Sequence, residues 1–401
     1  MYNAFIIDGI RTPIGNFTGS LSSVRTDDLA ALVIRELMQR NNSVDPEAID
    51  DVILGCANQA GEDNRNVARM ALLLAGLPFK VPGETVNRLC ASGMGAAVNA
   101  ARAATSNDGD IFIAGGVENM TRGPWVISKT SQPYGRDAHM FDSSFGWRFI
   151  NPKMKELFGV ESMGETAENL VDKFGLTREQ QDEFAFCSQH KAANALEDKR
   201  FVEEIIPVQI PKRKGDPLIF DEDEFIRKDT SVEVLSTLKP AFKKNGSVTA
   251  GNSSGLNDGA VALLIASESG IGGFNLKPLA RIVSSAVSGV EPRIMGLGPV
   301  EASQKALKKA GLTYNDIDII EINEAFAAQV LACLKEMKID FDDDRINPNG
   351  GAIALGHPLG MTGARLLQTA AIELQKSNKK FALCTLCVGV GQGYATILEK
   401  V

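Results

Sequence analysis

The sequence has 401 residues, of which 44% are hydrophobic and 23% are charged, and its formal net charge at pH 7 is −8. This composition is typical of a globular protein with enough apolar material for a core, and the length suggests two or three domains. No apolar run approaches the roughly 18–20 residues of a membrane span, no signal peptide is visible, and the acidic balance argues against a nucleic-acid binder.

Strand-like and helix-like segments alternate along the first part of the chain, as expected for helices packed on sheets. From about residue 121 to 249 this alternation of strands and helices is lost, and we interpret that region as a loop domain inserted into an α/β scaffold. The pattern predicts strands at Ala4–Asp8, Val52–Gly55 and Asp110–Ala114, and helices at Thr26–Gln39, Arg65–Ala75, Gly164–Lys173 and Arg178–Lys199.

Two distant segments share one order of elements. Residues 26–55 and 299–323 each contain a helix, a turn and an aspartate-rich lead into an apolar strand. This similarity predicts an internal duplication, although similar successions of elements also occur by chance in α/β proteins. The first half would comprise residues 1–120 and 250–272, and the second half residues 273–401, with a shared site where the ends of their strands meet.

The six cysteines are few for this length and lie in apolar or glycine-rich surroundings. A disulfide framework is denser and occurs in shorter chains, so we expect free thiols and a reducing, cytoplasmic compartment. Cys90 follows a short apolar stretch and precedes a glycine- and alanine-rich helix. At a helix N-terminus, unpaired N–H groups and the helix dipole favour a thiolate, which indicates a nucleophile; the alternative is a small core cysteine.

Two further segments suit the same chemistry. His357 lies in a glycine-rich turn just before a predicted helix, where it suits a base that takes a thiol proton, or a turn residue that caps a carbonyl. Cys387 ends an apolar strand and is followed by glycines whose N–H groups suit an oxyanion. Zinc or redox chemistry at Cys384 and Cys387 is disfavoured, because no second ligand pair is present and a strand would point the two to opposite faces.

Two other segments suit either a functional or a purely structural role. Asn323 lies at a strand-to-helix junction, where asparagine holds a water or an oxyanion but is also a favoured N-cap. The glycine- and serine-rich stretch at residues 248–263 suits a ligand contact through its backbone, or a tight turn.

The segments NRLCASGM, GNSSGLNDGA, NEAFAAQ, GGAIALGHPLGMTGARL and CVGVGQG follow one another in this order. Together they resemble the motif set of the thiolase family, and the resemblance covers essentially the whole chain. It implies a thiolase fold, with two duplicated α/β halves in a layered αβαβα arrangement and an inserted loop domain. It also implies an acyltransferase that binds acyl-CoA and CoA, has no metal or organic cofactor, and forms a homo-oligomer, either a dimer or a tetramer.

The resemblance also assigns roles to individual residues. Cys90 would be the nucleophile that becomes acylated, and His357 would take its proton. Cys387 would be the second acid/base, which protonates the departing carbanion. Asn323, through a bound water, and His357 would form one oxyanion hole, and the backbone N–H groups of Cys90 and Gly389 would form the other.

Contacts with coenzyme A carry over in the same way. Arg227 would lie on the adenine, and Ser254 would hydrogen-bond the pantetheine arm. Met163, Phe242 and Phe326 would form the apolar walls around that arm, although ordinary core packing is the alternative for these three.

Within the family, the likeness is greatest to thiolases that cleave 3-oxoadipyl-CoA to succinyl-CoA and acetyl-CoA in the degradation of aromatic compounds. It rests on residues 55–78 and 145–163, and on Val390. Thiolases specific for acetoacetyl-CoA have a histidine where this chain has Ser162, and a glycine in place of Val390. The implied substrate carries a distal carboxylate, for which Arg148 is our candidate partner; the alternative for Arg148 is a structural ion pair.

Three other functions compete with this interpretation. A Cys–His hydrolase would need no second acid/base thiol, so Cys387 argues against it. A lipid-binding relative without activity would typically lack the nucleophile or the histidine, and both are present. The nearer rival uses the same chemistry on an uncharged chain, as a short- or broad-chain 3-ketoacyl-CoA thiolase or an acetyl-CoA C-acetyltransferase.

Overall fold

The computed structural model describes residues 3–401. The strands are β1 (Ala4–Arg11), β2 (Gly15–Asn16), β3 (Asp51–Gly55), β4 (Gly83–Val86), β5 (Ile111–Asn119), β6 (Trp125–Ile127), β7 (Met140–Asp142), β8 (Val208–Ile210), β9 (Leu218–Phe220), β10 (Asn257–Ser267), β11 (Ala280–Gly289), β12 (Ile319–Ile322), β13 (Phe381–Val388) and β14 (Gln392–Lys400). The α-helices are α1 (Thr26–Arg40), α2 (Val67–Ala75), α3 (Ser92–Thr105), α4 (Pro152–Phe158), α5 (Met163–Phe174), α6 (Arg178–Glu197), α7 (Val232–Ser236), α8 (Glu268–Phe274), α9 (Gly298–Ala310), α10 (Ala327–Met337), α11 (Ala352–Leu355) and α12 (Leu359–Lys376).

Among the described residues, ten strands form one mixed sheet that divides into two halves of the same topology. In the first half the order is β4-β3-β5-β10-β1; β3 is parallel to β4 and β5, and β10 is antiparallel to β5 and β1. In the second half the order is β12-β13-β14-β11, with a parallel bridge from Ile320 to Ile346 on the outer side of β12. There β12 is parallel to β13, and β14 is antiparallel to β13 and β11. This repeat confirms the predicted duplication.

The helices lie in three layers around these strands. α1 and α2 cover the outer face of the first half, and α9 and α10 cover the outer face of the second. α3 and α12 lie between the two halves and contribute to a core cluster that includes strands of both. The resulting αβαβα layering places the N-terminal ends of the two central helices next to each other.

Two strands continue beyond the ends that the sequence pattern indicated: β1, predicted to end at Asp8, continues to Arg11, and the other is β5. The prediction ended it at Ala114, before two glycines, but β5 continues to Asn119. A Cβ at Gly115 would lie 2.0 Å from the carbonyl oxygen of Val261, and one at Gly116 would lie 1.9 Å from that of Gly360. The glycines therefore allow close approach of other backbone and do not end the strand.

Replacing Gly116 by alanine is expected to lower the free energy of unfolding by about 3 kcal/mol, because the added methyl group overpacks a backbone contact. Gly272 in α8 is a matched control, since a Cβ there would have no atom within 4 Å. Gly272→Ala should instead raise the free energy of unfolding by about 0.5–1 kcal/mol through helix propensity. Urea unfolding curves measure both changes, and equal effects of the two substitutions would contradict the packing described here.

The segment from residue 121 to 249 contains the small β6–β7 and β8–β9 ribbons and four helices, α4 to α7. Its helices α5 and α6 match the two helices predicted there within two residues. Ser162 is the N-cap of α5 and forms a capping box with Glu165, which gives this residue a structural role. The proposed domain boundaries remain predictions. No helix among residues 3–401 is long and apolar enough to cross a membrane.

Candidate active site

Cys90 lies in a short 3-10 turn, Leu89–Ala91, directly before α3. Leu89 has a positive φ of 46°, which is uncommon outside glycine and indicates a turn held in place by its surroundings. The backbone N–H of Gly389, from the turn after β13, donates a hydrogen bond to the sulfur of Cys90. The thiol of the first half is thereby joined to the second half.

The protonation state of Cys90 differs from the simplest expectation for a helix N-terminus. Burial raises the pKa of its thiol to about 11, although N–H groups of Gly389 and of Cys90 itself lower it. Desolvation therefore outweighs the helix dipole and the hydrogen bonds. At neutral pH the thiol keeps its proton, so reaction at this sulfur requires a base.

His357 is buried directly before α12. Its backbone N–H donates to Asn257 Oδ1 at 2.9 Å, and Gly356 before it has a φ of 106°. A Cβ at Gly356 would lie only 2.6 Å from Cγ of Asn257, which is too close for a side chain. The turn therefore requires glycine at position 356, and Asn257 of β10 fixes the histidine from the other half of the molecule.

The hydrogen bonds of His357 define its tautomer. Thr362 Oγ1 donates to the carbonyl of Pro358 at 2.8 Å and so accepts a hydrogen from His357 Nδ1 at 2.7 Å. The Nε2 atom then carries the free lone pair, and Asn323 Nδ2 approaches it at 3.5 Å. Burial and the positive charge of Arg365 lower the pKa of His357 to about 3. The imidazole is therefore neutral and ready to accept a proton at Nε2.

Asn323 follows β12 and is anchored through its backbone N–H, which donates to the carbonyl of Thr385 at 2.9 Å. It is not an N-cap, because the next helix begins at Ala327 with Phe326 as its cap residue. Its side-chain oxygen is buried and has no hydrogen-bond partner among the described residues. An amide in this state is suited to hold a ligand or a water beside His357.

Cys387 lies near the end of β13, buried in an apolar cluster with Phe326 and Met295. Burial raises the pKa of its thiol well above the usual range, and the nearby Cys90 sulfur raises it further. Cys384 belongs to a different cluster in the central core, so the two cysteines face opposite sides of the sheet. Both are free thiols, and this geometry does not favour a shared metal or a disulfide.

The turn between β13 and β14 carries Gly389 and Val390. Val390 is partly exposed and has a φ of 63°, a left-handed conformation that is strained for a β-branched side chain. Gly391 has a φ of 84°, and a Cβ there would lie 2.1 Å from the carbonyl oxygen of Val290. The turn that carries the N–H of Gly389 is therefore packed tightly against the backbone of Val290.

The three apolar candidates lie together next to this centre. The rings of Phe242 and Phe326 pack edge to face with their centroids 6.0 Å apart. A Cβ at Gly164 would lie 2.1 Å from the ring of Phe242, which places neighbouring Met163 beside it. Met163 and Phe242 are partly exposed, with relative areas of 37% and 39%, while Phe326 is buried. The first two therefore form an accessible apolar surface, and only Phe326 belongs to the core.

Ser254 contacts Ala325, the residue before Phe326, and Arg227 lies near Ser254 through the ring of Phe225. Ser254 donates both its backbone N–H and its hydroxyl to the carbonyl of Ala325, at 3.0 and 3.1 Å. The hydroxyl oxygen keeps its lone pairs free to accept a hydrogen bond. Arg227 stacks its guanidinium 5.6 Å from the ring centre of Phe225, and that ring contacts Gly255 next to Ser254.

Arg148 lies in the inserted segment with its guanidinium directed at neutral oxygens. It donates to the carbonyl of Ser143 at 3.3 Å and to Asn58 Oδ1 at 3.4 Å, both of which are long hydrogen bonds. Within residues 3–401 it makes no ion pair, so the alternative of a structural ion pair is not observed. A half-buried guanidinium without an anionic partner is suited to bind one.

Comparisons with known proteins agree with this geometry. The family model described as "Thiolase, N-terminal domain" matches residues 4–269, and "Thiolase, C-terminal domain" matches residues 276–400. This chain belongs to the thiolase family.

Three relatives illustrate where this thiolase lies in the family. A protein of Escherichia coli strain K12 named 3-oxoadipyl-CoA/3-oxo-5,6-dehydrosuberyl-CoA thiolase is 57% identical over 401 residues, with 100% of each chain covered. A beta-ketoadipyl-CoA thiolase of Acinetobacter baylyi is 54% identical, again over 100% of both chains. Among solved structures, an acetyl-CoA acetyltransferase of Bacillus anthracis is 41% identical with a TM-score of 0.91, covering 100% of this chain and 99% of that one.

The duplication explains how this thiolase assembles its site. Cys90 and His357 occupy equivalent positions, each directly before the central helix of its own half. Small residues let the first turns of these helices meet, since a Cβ at Gly93 would lie 2.5 Å from the carbonyl oxygen of Gly360. The nucleophile and the histidine thus come from the same place in two copies of one motif.

Sequence reasoning missed three residues that orient the centre of this thiolase. Thr362 fixes the tautomer of His357, and Asn257 fixes its backbone. Glu118 binds the backbone N–H of Gly360 at 2.8 Å. Thr362 follows the histidine by five residues, one turn into α12, and this helical spacing is a signal that could have indicated it. Asn257 lies in the glycine- and serine-rich stretch at residues 248–263, but that pattern did not indicate its contact with His357, and Glu118 left no local signal.

Proposed function

We propose that this thiolase cleaves 3-oxoadipyl-CoA with coenzyme A, giving succinyl-CoA and acetyl-CoA through an acyl intermediate on Cys90. The observation that carries the proposal is the convergence of a protonated thiol, a neutral imidazole and a second buried thiol where the two halves meet. The names of the relatives that are more than 50% identical support the choice of substrate.

In the first half-reaction, Nε2 of His357 takes the proton from Cys90, and the sulfur attacks the 3-keto carbon. The bond between C2 and C3 then breaks, leaving a succinyl thioester on Cys90 and the enolate of acetyl-CoA. The thiol of Cys387 gives its proton to the C2 carbon of the enolate and becomes a thiolate. Since the pKa values of both cysteines are raised, each thiol holds its proton until the substrate arrives.

In the second half-reaction, the thiol of coenzyme A gives its proton to the Cys387 thiolate and attacks the succinyl thioester. Cys90 leaves as a thiolate and recovers its proton from the imidazolium of His357. Succinyl-CoA is released with every group restored to its starting state. Acetyl-CoA departs before coenzyme A attacks, so the kinetics should be ping-pong.

Two sets of donors suit the negative charge that develops on oxygen. The N–H groups of Gly389 and Cys90, which point at the sulfur in the free enzyme, are suited to the oxygen of the tetrahedral intermediate. Asn323, through a water, and His357 are suited to the enolate oxygen of acetyl-CoA. We propose that coenzyme A lies along Met163, Phe242 and Phe326, with Ser254 and Arg227 farther out.

All proton transfers are assigned to side chains, which supports a reaction without a metal or an organic cofactor. The six free cysteines support a reducing, cytoplasmic compartment. Exposed apolar side chains on the β6–β7 ribbon, Trp125, Ile127 and Met140, support a homo-oligomer, which is a dimer or a tetramer.

The charged tail of the substrate would be bound by Arg148. Arg148→Ala is expected to lower the ratio of kcat/KM for 3-oxoadipyl-CoA over acetoacetyl-CoA by about tenfold or more, the loss of one charge-assisted hydrogen bond. Arg136→Ala, an exposed arginine of the same inserted segment, is the control and should leave the ratio unchanged. An unchanged ratio in Arg148→Ala would remove this residue from the substrate site.

Steady-state thiolysis of three substrates tests the proposed function as a whole: 3-oxoadipyl-CoA, acetoacetyl-CoA and a medium-chain 3-oxoacyl-CoA. We expect kcat/KM to be highest for 3-oxoadipyl-CoA by about tenfold, which corresponds to about 1.4 kcal/mol of transition-state free energy. A higher value for an uncharged chain would favour a short- or broad-chain thiolase and would contradict the substrate proposed here.

A further inference from the structure

Glu118 is a buried carboxylate at the end of β5, only 1% exposed, that binds three backbone N–H groups. Its Oε2 atom accepts from Gly360 at 2.8 Å and from Ala57 at 3.0 Å, and its Oε1 atom accepts from Asn58 at 2.9 Å. A carboxylate with this set of donors fixes two segments at once. One of these segments leads to His357 and the other to Arg148.

The first segment carries His357. Gly360 lies in the first turn of α12, three residues after the histidine, and α12 has no side-chain cap of its own. Glu118 satisfies one of the unpaired N–H groups at this helix end, where a negative charge is also favoured by the helix dipole. A Cβ at Gly360 would lie 2.4 Å from the carbonyl oxygen of Val117, so the helix end rests directly on β5.

The second segment leads to Arg148. Asn58, whose N–H binds Glu118, accepts a hydrogen bond from Arg148 at its Oδ1 atom, 3.4 Å away. Its Nδ2 atom donates to the carbonyl of Ser143 at 3.1 Å, and Arg148 donates to the same carbonyl. Asn58 therefore connects the carboxylate to both anchors of the arginine.

A metal site is the competing interpretation of this carboxylate. Cys56, Asp63 and Glu118 place one ligand atom each within 4.8 Å of one another. However, Asp63 accepts from the N–H of Gly61, and the thiol of Cys56 donates to the carbonyl of Asn58 at 3.0 Å. Glu118 already accepts hydrogen bonds from three N–H groups. Because backbone groups satisfy the polar atoms of this cluster, a structural role is favoured over the binding of a cation.

We propose that Glu118 is a positioning residue, which holds the base His357 of the second half and the substrate-binding Arg148 of the inserted segment at a fixed separation. The inference rests on the roles proposed above for those two residues. Glu118 itself contacts backbone N–H groups only, and its effect on the reaction passes through the segments that it joins. Misplacing a catalytic group by about 1 Å costs on the order of 10²-fold in rate, so loss of the hydrogen bonds of Glu118 should lower kcat.

The charge of Glu118 provides a second readout. The titratable groups that face it are Asp63, Cys56 and Cys90. Burial raises the pKa of Glu118 to about 7, its backbone donors lower it, and Asp63 raises it further. The carboxylate in turn raises the pKa of the Cys90 thiol. Removing the charge should therefore shift the alkylation of Cys90 by iodoacetamide to lower pH.

The test compares Glu118→Gln, Glu118→Asp and the control Asp63→Asn in the full chain, with kcat expressed per folded enzyme. Asp63→Asn removes a buried carboxylate of the same cluster without touching Gly360 or Asn58. We expect Glu118→Gln to lower kcat by about tenfold or more on both 3-oxoadipyl-CoA and acetoacetyl-CoA, and to lower the pH midpoint of Cys90 alkylation. Glu118→Asp keeps the negative charge on a shorter side chain, so it should lower kcat but leave the pH midpoint of Cys90 alkylation unchanged.

The proposal is overturned if either Glu118 variant that folds has the same kcat per folded enzyme as Asp63→Asn. It is also overturned if the alkylation midpoint in Glu118→Gln equals that of the wild type. Failure of the proposed substrate is separate: if the wild type prefers acetoacetyl-CoA, the Glu118 comparison is made on that substrate alone and gives the same decision.

Discussion

Replacing Cys90 by alanine is expected to abolish thiolysis, with a fall in kcat of at least about 10⁴-fold. The side chain forms the covalent bond to the acyl group, and no other thiol replaces it: Cys387 lies deeper in an apolar cluster, and Cys384 lies on the opposite face of the sheet. Turnover of 3-oxoadipyl-CoA and of acetoacetyl-CoA, measured by loss of the enolate absorbance, gives the size of the effect.

The control for this substitution is Cys187→Ala. Cys187 is an exposed free thiol in α6 that the proposed mechanism does not use, and its loss should leave kcat unchanged. Urea unfolding of both variants separates a loss of chemistry from a loss of folded protein. If Cys90→Ala keeps more than about a hundredth of the wild-type kcat, the covalent mechanism proposed here is wrong.

Replacing His357 by alanine is expected to lower kcat by about 10²–10⁴-fold, the usual contribution of a general base. Since burial raises the pKa of Cys90 to about 11, only a very small fraction of the thiol ionises spontaneously at pH 7. His190→Ala, which removes an exposed histidine of α6, should retain full activity. Equal losses in the two variants would contradict the assignment of the base.

The same residue makes the stability of the protein depend on pH. Burial lowers the pKa of His357 to about 3, below its unfolded value of about 6.5. The folded state thus favours the neutral form, and this contribution is complete above pH 6.5 and is lost as the pH falls toward 3. The free energy of unfolding should fall by about 1.4 kcal/mol per pH unit in this window because of this one group.

Urea unfolding at pH 7 and pH 5 measures that contribution as a difference. Other groups titrate in the same range, so the informative quantity is the change in the wild type minus the change in His357→Ala. We expect the wild type to lose more stability between the two pH values than the variant. An identical loss would mean that the histidine is not buried in its neutral form.

Local patterns in the sequence predicted much of the fold. The α/β alternation placed α1 and β3 within one residue of their observed ends. The similarity of residues 26–55 and 299–323 corresponds to a real repeat of helix, short 3-10 turn and strand in the two halves. These predictions succeeded because helical and strand periodicities are local properties of the chain.

The predictions that failed depended on contacts between distant segments. β5 continues through Gly115 and Gly116 because Val261 and Gly360 approach those glycines through their backbones. The helix dipole favours a Cys90 thiolate, but burial, which the sequence does not show, decides the direction of the shift in its pKa. Asn257 and Glu118 could not be predicted for the same reason, since each acts on a segment of the other half.

The most direct test of the central claim is to trap the acyl intermediate. The enzyme is mixed with 3-oxoadipyl-CoA without added coenzyme A, quenched in acid and digested, and its cysteine peptides are analysed by mass spectrometry. We expect a succinyl group on the peptide that contains Cys90, together with one equivalent of released acetyl-CoA per active site. No adduct, an adduct on another cysteine, or release of free succinate instead of a stable acyl-enzyme would contradict it.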